Sequence, residues 1–166
     1  MSDKPKQKAT PKPMAAKPSA RKKARRFAVQ ALYQWQMTGA NLTDIEVQFR
    51  TENDFKKTDG DFFHTLLHEI PTNLGDIDGA FEKYLDRDKK DLDQVELAIL
   101  RIGIFELLKR LDVPYRVVIN EGVELAKTFG ATESHKYVNG ILDKASQALR
   151  MAEVRDFRER KASPKK

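Results

Sequence analysis

Residues 92–111, LDQVELAILRIGIFELLKRL, form the most apolar stretch of this 166-residue chain, and at helical spacing they are apolar on two sides. Leu97, Leu100, Ile104, Leu107 and Leu111 make one stripe, while Val95, Ile99 and Ile102 fall on the other. A helix with two apolar faces has to be covered on both, so it belongs at the centre of a helical assembly. The flanking sequence can supply the cover, because from Ala20 onward the periodicity is helical and no alternating run reads as a strand. The pattern predicts an all-α protein of about six or seven helices in one compact domain.

The boundaries follow from local chemistry. A first helix over 20–37 should stop at Gly39, which tolerates the left-handed conformation of a helix end. Thr43-Asp44-Ile45-Glu46 has capping-box spacing and should open a second helix. A third pattern starts near Thr58 and holds Phe62, Phe63, Leu66, Leu67 and Ile70; Pro71 lacks a backbone donor and predicts a kink or break. Residues 86–91 read as a charged connection. Pro114 fits the first turn of a helix carrying Val117, Val118, Val123, Leu125 and Phe129 that ends at Gly130. Thr132 or Ser134 should cap the last patterned helix, with its stripe of Val138, Ile141, Leu142, Ala145 and Leu149.

The net charge of +6 is unevenly spread. Residues 1–26 carry +9, residues 27–149 carry −7 and residues 150–166 carry +4. A mildly acidic globule with a basic arm at each end points to a polyanionic partner, and the plainer reading is that the arms aid solubility. Residues 1–19, rich in Lys and Pro, have almost nothing to bury and are expected to be disordered. With no cysteine there is no disulfide framework or zinc–thiolate site. No apolar run approaches the roughly 18 residues of a membrane span, so a cytoplasmic protein without membrane contact is expected.

In the segment ARKKARRFAVQALYQW, residues 20–35, five cations in six residues give way to an apolar run. At about 100° per residue, Ala20, Ala24, Phe27, Ala28, Ala31, Leu32 and Trp35 share one arc. The opposite arc holds Lys22, Arg26, Val29, Gln30 and Tyr33, with Arg21 and Arg25 at its border. Cations that neutralise phosphates beside an exposed ring that can stack on an unpaired base suit single-stranded RNA. The alternative is that Tyr33 packs against a neighbouring helix with its hydroxyl in water.

Nothing in the pattern favours catalysis. His64 and His68 share one helical face, but the order is not HExxH and there is no further His or Cys near them to serve as a third ligand. Partly exposed histidines flanking a Leu-Leu core pair account for them, and no metal or cofactor is expected. A metal-dependent enzyme using this pair, a general nucleic-acid packing protein and a module of a ribosomal RNA methyltransferase are the competing readings.

Four segments carry a resemblance: ARRFAVQALYQWQ at 24–36, QVELAILRIGIFEL at 94–107, DVPYRVVINEGVELAKTFG at 112–130 and SHKYVNGILDK at 134–144. In this order and spacing, over about 20–148, the chain resembles the NusB family of bacterial transcription antitermination factors. The resemblance implies two small helical bundles, here lobes of about 20–84 and 85–149, with 150–166 as a basic extension. It implies binding of the boxA element in ribosomal RNA leader transcripts together with NusE, a small-subunit ribosomal protein. It also implies action on elongating RNA polymerase with NusA and NusG; a role in ribosomal RNA processing, modification or ribosome assembly is the alternative. The family's RNA contacts carry onto Arg21, Lys22, Arg25 and Tyr33, onto Tyr137 with Lys136 beside it, and onto Gln94 and Glu96. Arg26 stands where relatives commonly carry an acid, Pro71 interrupts a helix that is continuous in the family, and both basic ends are expected to add salt-dependent affinity.

Overall fold

The computed structural model describes residues 17–162, and within them the chain folds into eight α-helices joined by short connections. The first is α1 (Pro18–Thr38), which begins at the proline rather than after it. Pro18 occupies the first turn, where a missing N–H costs nothing. Of the arm expected to be disordered over 1–19, Pro18 and Ser19 instead begin α1, because the proline suits a first helical turn, and residues 1–16 lie outside the described residues. Gly39 ends α1 in the left-handed region (φ 68°), its N–H donating to Trp35 O at 2.8 Å.

In α2 (Leu42–Glu52) the cap is Asn41, whose side chain accepts from Asp44 N at 3.0 Å. The box expected at Thr43 is displaced because asparagine, among the best N-cap residues, starts the helix two positions earlier. Asp59 caps α3 (Gly60–Thr72), and Pro71 does break the pattern. α3 ends one residue after it and α4 (Leu74–Phe81) begins beyond Asn73, whose N–H and side-chain amide both donate to Glu69 O. Single 3₁₀ turns at Glu82–Tyr84 and Lys89–Asp91 lead on to the centre.

The two-faced helix is α5 (Gln94–Lys109), and every residue from 96 to 107 is buried. Leu111 does not belong to its stripe: the helix ends two residues earlier, and Leu111 is 73% exposed. Against α5 pack α6 (Tyr115–Phe129) and α7 (Ser134–Leu149). Leu142 of α7 lies across two glycines: a Cβ on Gly103 would stand 2.8 Å from Leu142 Cδ2, and one on Gly122 2.7 Å from its Cδ1. Those two positions let three helices approach at one leucine. Pro114 precedes α6 as its N-cap instead of occupying its first turn, and Val117 turns to solvent.

Neither Thr132 nor Ser134 caps α7. Glu133 takes the N-cap position with φ 73°, and the hydroxyl of Ser134 is spent on α5. Within the basic extension expected over 150–166, residues 151–162 form α8 (Met151–Ala162) and help close the core. Buried Arg150 donates to Glu106 O, Leu107 O, Arg110 O and Val113 O, in the last turn of α5 and just beyond it; Glu106 O and Arg110 O also accept the backbone N–H of Arg110 and of Val113. Glu153 accepts from both Arg150 and Tyr115 N, giving α6 a cap supplied by another helix. Val154 is buried, and the ring of Phe157 meets Tyr115 edge-on.

At the other end α1, α2 and α3 surround a ring cluster, in which Phe27 stacks on Phe55 at 4.8 Å and Phe63 meets Phe55 edge-on at 5.1 Å. α1 also packs on α5 and α6, so the buried apolar residues form one continuous core. Among the described residues no helix is long and apolar enough to cross a membrane.

Candidate nucleic-acid interface

Because α1 has neighbours on two sides, its cations do not share one environment. Arg25 is the clearest departure from the sequence reading: it is 3% exposed and faces the interior. Its Nε and Nη2 donate to the two oxygens of Glu106 on α5, each at 2.7 Å, and Glu121 lies 3.8 Å from Nη1. Desolvation opposes its charge, but the hydrogen bonds and charge of Glu106, with Glu121 behind, outweigh it and raise the guanidinium above its ordinary value. An RNA phosphate cannot reach this side chain without unpairing Glu106. Val29, placed on the outward arc by the wheel, is likewise buried.

Arg21 is also turned toward the body. It donates to Asp112 Oδ2 at 3.2 Å, and its buried Nε stands 3.7 Å from Asp59 Oδ2, too far for a hydrogen bond. Together with Arg25 and Arg110 it surrounds the ring of Phe62, the three guanidinium carbons lying 5.0 to 5.3 Å from its centroid. Lys22 is half-buried and paired with Glu121 at 2.9 Å. A pair so close to solvent is worth about 0–1 kcal/mol, little enough for a phosphate to compete.

The outward face is therefore the stripe Lys23, Arg26, Gln30, Tyr33 and Met37, all exposed and spaced alternately three and four apart. Lys23 and Arg26 have no carboxylate partner among the described residues. Tyr33, 39% exposed, borders an open groove of about 480 Å³ with Val29, Met37, Phe49, Val95 and Phe129. The groove is apolar on its floor and rimmed by Gln30 and Gln34, a combination that accommodates a flat ring and offers amides to its edge.

Two lysines absent from the sequence reading extend the cationic side. Lys56 and Lys57, in the polar connection between α2 and α3, line a depression of about 750 Å³ with Lys17 and Lys23. The signal was the adjacent lysine pair in NDFKKTD, residues 53–59, which became informative only once α1 was known to lie alongside.

The first turn of α5 joins this face to the start of α7. Val95 lines the Tyr33 groove, while Gln94 accepts from Gln36 Nε2 through both its carbonyl (2.9 Å) and its side chain (3.1 Å). Gln36 is held in turn by Arg101, whose Nη1 donates to Gln36 Oε1 at 2.9 Å while its other nitrogens grip Asp78. Glu96, the next residue but one after Gln94, is only 9% exposed and accepts from the Ser134 hydroxyl at 2.7 Å. Gln94 and Glu96 thus hold elements together more than they present free edges.

On α7, Lys136 extends into solvent, paired with Glu133 at 2.6 Å. Tyr137 is half-buried; its hydroxyl donates to Asp86 Oδ1 at 3.0 Å, and the Arg87 guanidinium covers one ring face at 4.6 Å. Hydrogen bonds from Arg87 and Tyr137 lower the Asp86 carboxyl, while burial and the neighbouring Asp86 raise the Tyr137 phenol. An arginine already parked on an aromatic ring presents its own outer face for stacking.

Residues 22–147 match the model of the NusB family. The chain is 58% identical over 143 residues to the transcription antitermination protein NusB of Alcanivorax borkumensis, covering 86% of this chain and 95% of that protein. The NusB protein of Pseudomonas savastanoi is 54% identical over 146 residues, 88% of each chain. Among solved structures, T. maritima NusB superposes with a TM-score of 0.67 at 29% identity, covering 76% of this chain and 89% of that one.

Proposed function

The chain belongs to the NusB family of RNA-binding, non-catalytic antitermination factors acting on ribosomal RNA leader transcripts, and from that premise we propose how its surface takes RNA. Single-stranded boxA RNA lies along the outward stripe of α1, with one base entering the Tyr33 groove and stacking on its ring. Its phosphates meet Lys23 and Arg26, with Lys17, Lys56 and Lys57 as the continuation, and Lys22 joins by exchanging Glu121 for a phosphate. The strand then passes the first turn of α5 toward Arg87, Lys136 and Tyr137. Gln94, Glu96, Arg21 and Arg25 act as positioning residues, each fixing α1, α5 or α7 from within.

NusE completes the RNA-binding unit, and the assembly acts on the RNA polymerase elongation complex with NusA and NusG. The observation that carries this reading is the pairing on one helix face of an exposed aromatic ring with cations that have no carboxylate partner among the described residues. Stacking supplies affinity that salt does not screen, and the cations supply affinity that it does.

The test is anisotropy of a labelled boxA RNA against a scrambled strand of equal length, with and without NusE, at two salt concentrations. Tyr33→Ala is expected to weaken binding by about 1–3 kcal/mol while leaving the salt slope unchanged. Equal affinity for the scrambled strand, or an unaffected Tyr33→Ala variant, would overturn the assignment.

A further inference from the structure

We propose that Glu46, His64 and His68 form a binding site for a first-row transition-metal ion, with zinc the leading candidate, that ties α2 to α3. The two imidazoles rise one helical turn apart from the same face of α3, their ring centroids 4.2 Å apart. His64 Nδ1 stands 2.8 Å, and His68 Nε2 2.7 Å, from one and the same oxygen, Glu46 Oε1, on the neighbouring helix. The three donor atoms all lie within 4.8 Å of one another. The third ligand missing from the sequence reading is this carboxylate, which comes from another helix.

Zinc sits about 2.0–2.2 Å from imidazole nitrogen and carboxylate oxygen, so tetrahedral donors stand about 3.3 Å apart. The cluster must open by about half an ångström to admit the ion. His64, whose side chain is 57% exposed, has the freedom to swing outward. Its exposed side also provides the entry path and leaves the fourth position to water.

The carboxylate is already aimed. Its second oxygen, Oε2, accepts from Arg50 Nε at 2.8 Å; Arg50 in turn donates to Gly60 O at 2.9 Å and lies over the rings of Phe55 and Phe63. Hydrogen bonds of this kind to the outer oxygen orient a ligating carboxylate. The nearby guanidinium also repels a cation, so the site is exchangeable rather than permanently filled. Two nitrogens and one oxygen suit Zn²⁺, Co²⁺, Ni²⁺ or Cu²⁺, whereas Mg²⁺ and Ca²⁺ require more oxygen.

The experiment titrates the untagged full-length chain, stripped with EDTA, with ZnCl₂ by calorimetry at pH 7.5, and repeats the titration on Glu46→Gln, His64→Ala and His68→Ala. One equivalent should bind, and each substitution should weaken it at least about tenfold. The affinity should fall on acidification, because protons compete with the ion for the ligand atoms. His64→Ala is a surface change that keeps the fold, so its loss of binding cannot be ascribed to unfolding. Cobalt should give the intense visible bands of four-coordination in the parent chain and not in His64→Ala. Absence of one-to-one binding, or binding undiminished when both histidines are replaced, would overturn the proposal. Loss of binding on replacing His135, the third histidine, would overturn it too.

Discussion

Replacing Arg25 with alanine should destabilise the fold rather than remove an RNA contact. Glu106 is 1% exposed, and both its carboxylate oxygens take their hydrogen bonds from this one guanidinium. Removing Arg25 strands that carboxylate in the core and takes a cation from the ring of Phe62. Breaking a buried pair from one side costs about 3–5 kcal/mol. Against the roughly 5–15 kcal/mol that holds a domain together, this is a large fraction. For a chain of this size it corresponds to a fall in melting temperature of about 10 °C.

Urea unfolding followed by circular dichroism measures the loss, and salt-dependent RNA binding below the transition measures the interface. The salt slope of folded Arg25→Ala should match that of the parent chain. Arg26→Ala should leave stability nearly unchanged and reduce the slope by about 0.7, the share of one single-strand phosphate. A double variant, Arg25→Met with Glu106→Leu, should recover most of the stability, since an apolar pair of similar volume replaces a buried ion pair at little net cost. The reasoning fails if Arg25→Ala is as stable as the parent and its slope drops, for then the side chain reaches phosphate.

Gly103→Ala places a methyl 2.8 Å from Leu142 Cδ2 and should cost about 1–3 kcal/mol by overpacking, despite alanine's better helix propensity; truncating Leu142 in the same chain should relieve much of it, read as a non-additive double-mutant cycle. Arg150→Ala takes the arginine donor from Leu107 O and Val113 O and a second bond from Glu106 O and Arg110 O, and should destabilise by about 2–4 kcal/mol, with faster amide exchange appearing in α8 and in the turn before α6. Asp112, beside Arg110 and Arg21, has its carboxyl held below the ordinary 3.8 by Arg110 first, against partial burial, and then by Arg21. A lowered folded value gives stability that is present above 3.8 and is lost as pH falls through the folded value. Urea midpoints should therefore drop less on acidification in Asp112→Asn than in the parent chain.

What the sequence made legible was whatever depends on near neighbours. The stop at Gly39, the break at Pro71 and the all-helical class each follow from local periodicity or from one residue's backbone, and the central place of α5 follows from its two apolar faces. Arg25 and Val29 were misplaced because a wheel with a single inward arc assumes one neighbour, whereas α1 has α2 and α3 on one flank and α5 and α6 on another. The partner that buries Arg25 is 81 residues away. Glu46 escaped notice for the same reason, standing 18 residues before His64 on a different helix. That residues 151–162 of the basic extension form a helix docked on the core was not legible, because the two residues that hold it, Arg150 and Glu153, are lost in its high charge.

The Arg150 latch also sets a schedule for the newborn chain. The carbonyls it satisfies lie 37 to 44 residues before it. At synthesis rates of about 5–20 residues per second, the end of α5 waits roughly 2–9 seconds for its donors. Throughout that interval the end of the central, two-faced helix lacks the arginine that closes it and is exposed to chance encounters. A chain cut short before residue 150 would keep that vulnerability for life, and its first symptom would be aggregation during expression rather than weak RNA binding.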